Sequence, residues 1–169
     1  MASRLFISDV DSTITNHWVR IRRHSRPQWP GTSVASSAFL PEEVLLDGLL
    51  PGCREVLWEI KKWGYEIAYL TAREWDRDGT LTKQQLQRFA LPEPTQVHVV
   101  SHLENKAEFL RPLHCSFYVD DFMTGQERSI GTFHAETARA IEALGVHVIP
   151  FRNDWADVLV QMVFYGARP

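Results

Sequence analysis

Five short apolar runs alternate with helix-patterned stretches along this chain, and four of the five break off at an acid or a hydroxyl. Leu5-Phe6-Ile7 ends at Asp9, Tyr65 to Leu70 at Thr71, Val97 to Val100 at Ser101, and Ser116 to Val119 at Asp120. Val146 to Ile149 is the fifth run. Short unbroken apolar runs read as strands buried on both faces. Between them lie helices. Pro51 to Gly64 carries Cys53, Val56, Leu57, Ile60 and Trp63 at helical spacing, with proline at its start and glycine at its end. Thr80 or Thr82 is expected to cap a helix through Leu86 and Phe89. Ser101 with Glu104 has the form of a capping box, predicting a helix to about Arg111. Thr132 to Leu144 is expected to be helical up to Gly145. Asp154 to about Phe164 sets Trp155, Val158, Leu159, Met162 and Val163 on one stripe. Strands alternating with helices predict an α/β fold with a mainly parallel five-stranded sheet. In such sheets ligands bind beyond the carboxyl ends of the strands. Asp9, Thr71, Ser101 and Asp120 are therefore the first places to look.

The segment 16–50 does not follow the alternation and reads as an insertion into a single domain spanning 1–169. The chain carries a net charge of −3, yet from Ser12 to Pro41 there are four arginines and no acid. The insertion is thus a basic island on an acidic body. No run of about 18 apolar residues predicts a membrane span. The acidic end of the stretch Met1 to Asp11 argues against a secretory leader. Cys53 and Cys115 fit neither a zinc pattern nor a disulfide framework, and a cytoplasmic location is expected.

Asp9 and Asp11 project from one strand end toward a common pocket. Like charges so close need a cation or a proton between them. Open carboxylate oxygens suit Mg2+. Asp120-Asp121 adds a second acidic pair at the same sheet edge, Thr71 a hydroxyl, and Lys106 a cation early in the following helix. Taken singly, each has a bland reading: a polar turn, a turn threonine, a solvated helix face. Their convergence on one sheet edge favours chemistry.

In order along the chain, Asp9-Val10-Asp11-Ser12-Thr13, Leu70-Thr71, Lys106 and Asp120-Asp121 resemble the four motifs of the haloacid dehalogenase superfamily of phosphotransferases. The resemblance covers nearly the whole chain outside the insertion. Ser12 stands where many members have glycine. The resemblance implies a Rossmann-like fold with a small cap or flap, and a role for each residue. Asp9 would be the nucleophile that forms an aspartyl-phosphate. Asp11 would act as general acid and then base. Thr71 and Lys106 would bind the phosphoryl group. Mg2+ would be held by Asp9, the backbone carbonyl of Asp11, and Asp120 or Asp121. Dehalogenase members lack the second acid, because a halide leaves without a proton, so Asp11 favours a phosphatase. Receiver domains use similar residues, but their acidic pair precedes the nucleophile.

Thr71-Ala72-Arg73-Glu74 is partly similar to the second motif of phage-type polynucleotide kinase 3′-phosphatases, although those enzymes usually have arginine where this chain has Phe122. Arg73 is a candidate phosphate clamp. In His17 to Arg23 a strand period would put Trp18, Arg20 and Arg22 on one outward face and pack Val19 and Ile21 inward. Such a face could stack a base and hold a phosphate backbone. The expected activity is Mg2+-dependent hydrolysis of a phosphomonoester, preferentially a nucleotide or polynucleotide 3′-phosphate. The expected partner is a nucleotide or a single-stranded nucleic-acid end. A small-metabolite phosphatase and a non-catalytic phosphate- or nucleic-acid-binding module are the alternatives. The histidines lack ligand spacing, and Trp58, Trp63 and Trp155 are expected in the core.

Overall fold

A computed structural model describes residues 4–28, 31–124 and 132–168. In chain order it contains β1 (Leu5–Ser8), β2 (Thr15–Asn16), α1 (Trp18–His24), β3 (Ser25–Gln28), β4 (Gly31–Val34), α2 (Pro41–Val44), β5 (Gly48–Leu49) and α3 (Cys53–Lys62). There follow β6 (Glu66–Thr71), α4 (Thr80–Arg88), β7 (Val97–Val99), α5 (Asn105–Leu110), β8 (Cys115–Asp120), β9 (Met123–Thr124), β10 (Thr132–Phe133), α6 (Ala135–Glu142), β11 (His147–Pro150) and α7 (Trp155–Phe164). Short 3₁₀ turns occupy Ser36–Phe39 and Glu74–Asp76.

The expected sheet is present, with strand order β11-β8-β1-β6-β7 and every pairing parallel. The apolar runs lack polar alternation because both faces of the sheet are covered. Phe6, Ile67, Tyr69, Phe117 and Val119 face one core, with Leu57 and Ile60 of α3 and Trp155, Val158 and Met162 of α7. Ile7, Leu70, Tyr118 and Val148 face the other, with Leu110 of α5 and Ala138 and Ile141 of α6. The winding reverses between β1 and β8, which opens a crevice at their carboxyl ends. Asp9 leaves β1 there and Asp120 ends β8. Behind the crevice, the buried Trp155 indole donates to the Thr13 carbonyl at 2.8 Å, tying α7 to the loop after β1.

The insertion is a small flap: β2 pairs antiparallel with β5, β3 with β4, and α1 packs on the 3₁₀ turn at Ser36–Phe39. Here the strand expected at His17 to Arg23 is corrected to the helix α1. A helix separates positions 20 and 22 by about 200°. Arg20 and Ile21 therefore turn inward, while Arg22 is exposed on the outside and Val19 is 55% exposed. The buried Arg20 guanidinium holds Asp47 at 3.1 Å and donates to the Ala38 carbonyl at 2.7 Å. Its partner lies 27 residues away, and no local pattern in the sequence points to it.

Several boundaries also differ from expectation. α4 is capped by Asp76, whose carboxylate accepts from the Leu81 and Thr82 amides at 3.1 and 2.8 Å. α5 starts at Asn105, and the Ser101 hydroxyl bonds the Asn105 side chain rather than closing a capping box. The helix expected from Thr132 starts at Ala135, because Thr132–Phe133 pairs with β9. Trp58 is 45% exposed, with its indole donating to the Ala90 carbonyl, and Val163 faces outward from α7. Cys53 and Cys115 are free and buried in different cores. Among the described residues no helix is long and apolar enough to cross a membrane.

Candidate active site

A cavity of about 400 Å³ opens over the carboxyl ends of β1, β6 and β8. Its lining includes Asp9, Asp11, Thr71, Arg73, Lys106, Asp120 and Asp121, with Arg20 from the flap. The residues singled out at separate strand ends are thus brought together; Arg22 alone lies outside the cavity.

Lys106 is the hub. Its ammonium is buried and lies 2.6 Å from Asp9 and 2.7 Å from Asp120. It can reach both because α5 begins one residue earlier and aims its first turn at the crevice. Asp120 is fixed further by the Phe122 amide at 2.7 Å and by the buried Tyr118 hydroxyl, which donates to it. Tyr118 went unnoticed in the sequence, although residues two apart on a strand share a face.

Three carboxylates crowd one cation here, and the proton affinities of Asp9 and Asp121 reflect it. Burial drives the Asp9 carboxyl well above its ordinary range; Lys106 opposes that, and the negative charges of Asp120 and Asp121 reinforce it. Asp121 is pushed up to about 7 by burial and by Asp120. Burial alone would lower Lys106, but Asp120 and Asp9 hold its ammonium above the usual range. Carboxylate oxygens of Asp9, Asp120 and Asp121 all lie within 4.8 Å of one another. A hard divalent cation fits this set, since all the donors are oxygens and one lysine leaves the cluster overcharged.

The Asp11 carboxylate is not part of that group. It faces Arg73, which grips it with two hydrogen bonds of 2.8 and 2.7 Å. Burial would raise Asp11, but the Arg73 charge and hydrogen bonds outweigh it and hold the group well below the usual carboxylate range. Arg73 is itself buried, and its remaining nitrogen donates to Thr82 at 3.1 Å and Gln85 at 3.0 Å. The guanidinium expected to meet phosphate lines the cavity but is already engaged by Asp11, Thr82 and Gln85. Gln85 passes the connection on to the flap, donating to the Val44 carbonyl at 2.8 Å.

Thr71 ends β6, buried at the cavity floor. Ser12 has φ of 62°, a left-handed backbone that favours glycine. Its hydroxyl lies 3.2 Å from His17 Nδ1 and its side chain also bonds Asp121. Burial lowers the pKa of His17. Phe122, in the place where the phage-type enzymes have arginine, is fully buried edge-on to Tyr118 and Phe133. His17, Phe39 and Trp75 line the cavity as well. Sequence patterns alone did not mark them, because their neighbours come from distant segments.

No protein-family model matches the chain, and no curated protein matches it. The chain is similar in structure to a haloacid dehalogenase-superfamily hydrolase, subfamily IA, variant 1, from Geobacter sulfurreducens PCA. The two share 17% identity with a TM-score of 0.53, over 87% of this chain and 88% of that one. This likeness does not bear on the partial similarity to polynucleotide kinase 3′-phosphatases. With five parallel strands flanked by helices and a small antiparallel flap after the first, this chain has the fold of a haloacid dehalogenase-superfamily hydrolase.

Proposed function

We propose that the chain is a Mg2+-dependent phosphomonoesterase that works through an aspartyl-phosphate on Asp9. The observation that carries this reading is the Lys106 ammonium held between Asp9 and Asp120 under the cavity. Asp9, Asp120 and Asp121 would hold the metal, which supplies charge neutralisation for an incoming phosphate. Thr71 and Lys106 would orient the phosphoryl group. An Asp9 oxygen attacks phosphorus as the bond to the ester oxygen breaks, and the departing alkoxide takes a proton from Asp11. Asp11 must first gain that proton from solvent or from the bound phosphate monoester, because Arg73 holds it ionised in the free protein. Water then attacks the acyl phosphate and loses its proton to Asp11, releasing inorganic phosphate. Arg73 keeps Asp11 ionised in the free protein, which suits the base half of this cycle. Arg73, Arg20 and Arg22 are proposed to act around the substrate, the first two from the cavity lining and Arg22 from the exposed face of α1 outside it.

The preferred substrate in this reading is a nucleotide or polynucleotide 3′-phosphate. A small-metabolite phosphatase is the second reading, favoured by the inward turn of Arg20, which removes one cation from the basic face. A screen of 3′-phosphorylated oligonucleotides, nucleotides and sugar phosphates separates the two.

Hydrolysis of an aryl phosphate is expected in Mg2+, to vanish with a chelator and to return when Mg2+ is restored. Activity indifferent to chelation would make the carboxylate cluster structural, and none under any condition would favour a non-catalytic binding module. Asp11→Asn is expected to slow turnover of an aryl phosphate while phosphate accumulates on Asp9. A good leaving group needs little acid help, whereas the second step still needs a base. Acid-quenched mass spectrometry should find the adduct, and a burst of product without it would count against this division of roles.

A further inference from the structure

Two aromatic rings wall the cavity, and the proposed reaction gives them no part. Phe39 comes from the 3₁₀ turn of the flap and Trp75 from the 3₁₀ turn after β6. Their centroids are 5.9 Å apart with planes inclined at 47°, so the pair forms an open wedge rather than a closed stack. Trp75 remains 40% exposed although it is the second residue beyond the buried Arg73. Each ring is backed by a guanidinium. Arg20 Cζ lies 5.8 Å from the Phe39 centroid and Arg73 Cζ 5.4 Å from that of Trp75. Both arginines are buried and fixed to carboxylates, so the rings rest on an immobile base. A wall fixed before the ligand arrives loses little freedom on binding.

The charges show what the wedge can accept. The arginines and the lysine lining the cavity are each committed to carboxylates, and Asp9, Asp11, Glu104, Asp120 and Asp121 also line it. A second anionic group beside the phosphate would meet acids and engaged cations. An uncharged flat ring would meet an indole, a phenyl and the Ile21 side chain. We infer that Phe39 and Trp75 form the leaving-group subsite of this cavity, and that it takes an uncharged planar aromatic ring, a nucleobase or an aryl group, joined to the phosphate. This rests on the phosphomonoesterase reading of the adjoining carboxylates.

Calorimetric titration of the full chain in Mg2+, carrying Asp9→Asn to prevent turnover, tests the inference. The probes are inorganic phosphate, ethyl phosphate, phenyl phosphate and a nucleoside 3′-monophosphate. Phenyl phosphate or the nucleotide is expected to bind about 10-fold or more tighter than ethyl phosphate, the scale of one stacked ring. Adding Trp75→Ala or Phe39→Ala should erase that preference and leave ethyl phosphate binding unchanged, whereas Trp75→Phe should keep most of it. Circular dichroism of each variant checks folding. Phosphate binding with no preference for rings, or a preference that survives both alanine variants, overturns the subsite alone. A neighbouring hollow of about 500 Å³, lined by Trp18 and Phe133, shares Asp121 and Met123 with the cavity. Loss of the preference in Trp18→Ala but not in Trp75→Ala would place the ring there and overturn the assignment. Failure of inorganic phosphate to bind the unmutated chain in Mg2+ would overturn the phosphomonoesterase reading and the subsite with it.

Discussion

Asp9→Asn is expected to cut Mg2+-dependent phosphatase turnover by roughly 10⁴-fold or more while leaving the chain folded. The amide has nearly the same shape as the carboxylate but is not a competent nucleophile toward phosphorus. The fold has little reason to change. The Asp9 backbone amide still donates to the Val119 carbonyl at 2.8 Å, and Lys106 keeps its contact with Asp120. An aryl phosphate assay beside a thermal melt checks both halves. Activity within a hundred-fold of wild type in a folded variant would mean that another group attacks phosphorus.

Arg73→Ala is expected to have the largest effect on stability, a loss of about 3–5 kcal/mol. It takes from Asp11 its two-hydrogen-bond partner, leaving only Arg20 at 4.0 Å, and leaves the buried Thr82 and Gln85 side chains without a shared partner. For a chain of this size the melting temperature should fall by roughly 6–20 °C. The pH dependence has a definite sign. Asp11 is held below its unfolded pKa, so its contribution is complete above about pH 4 and is lost as pH falls toward the folded value. The gap between wild type and variant should therefore be widest near neutrality and shrink in acid. Asp11→Asn added to Arg73→Ala should recover part of the loss, because no orphan charge remains. A melting temperature within 2 °C of wild type would show that the Asp11–Arg73 pair contributes little to stability.

The sheet and the acidic residues were legible in the sequence because both obey short-range rules. A strand buried on both faces must be apolar throughout, so Leu5 to Ile7 and Ser116 to Val119 stand out, and the acids after them lie at the sheet edge. The flap follows no such rule. Trp18 to Arg23 alternates like a strand, yet forms a helix because Asp47 and the Ala38 carbonyl wait for Arg20 on the inside. Those partners become neighbours only after the flap has folded. The partners of Arg73 were hidden for the same reason: Thr82 and Gln85 bind it as much as Asp11 does. Only three-dimensional packing reveals that its guanidinium is already engaged by Asp11, Thr82 and Gln85. Trp58 looked like core because it sits on an amphipathic helix, but its indole reaches the Ala90 carbonyl at the surface.

The central place of β1 has a consequence for how the protein comes into being. β1, which leads into Asp9, is made well before its two neighbours, β6 and β8. Lys106 and Asp120 come later still than β6, and the loop after β1 waits for Trp155 to anchor it. At about 5–20 residues per second, the nascent chain carries its aspartates unpaired for roughly 8–30 seconds. During that interval Asp9 and Asp11 lack the Lys106 and Arg73 partners that hold them in the folded chain. The cavity is therefore complete only once β8 and the helix bearing Trp155 have joined the sheet.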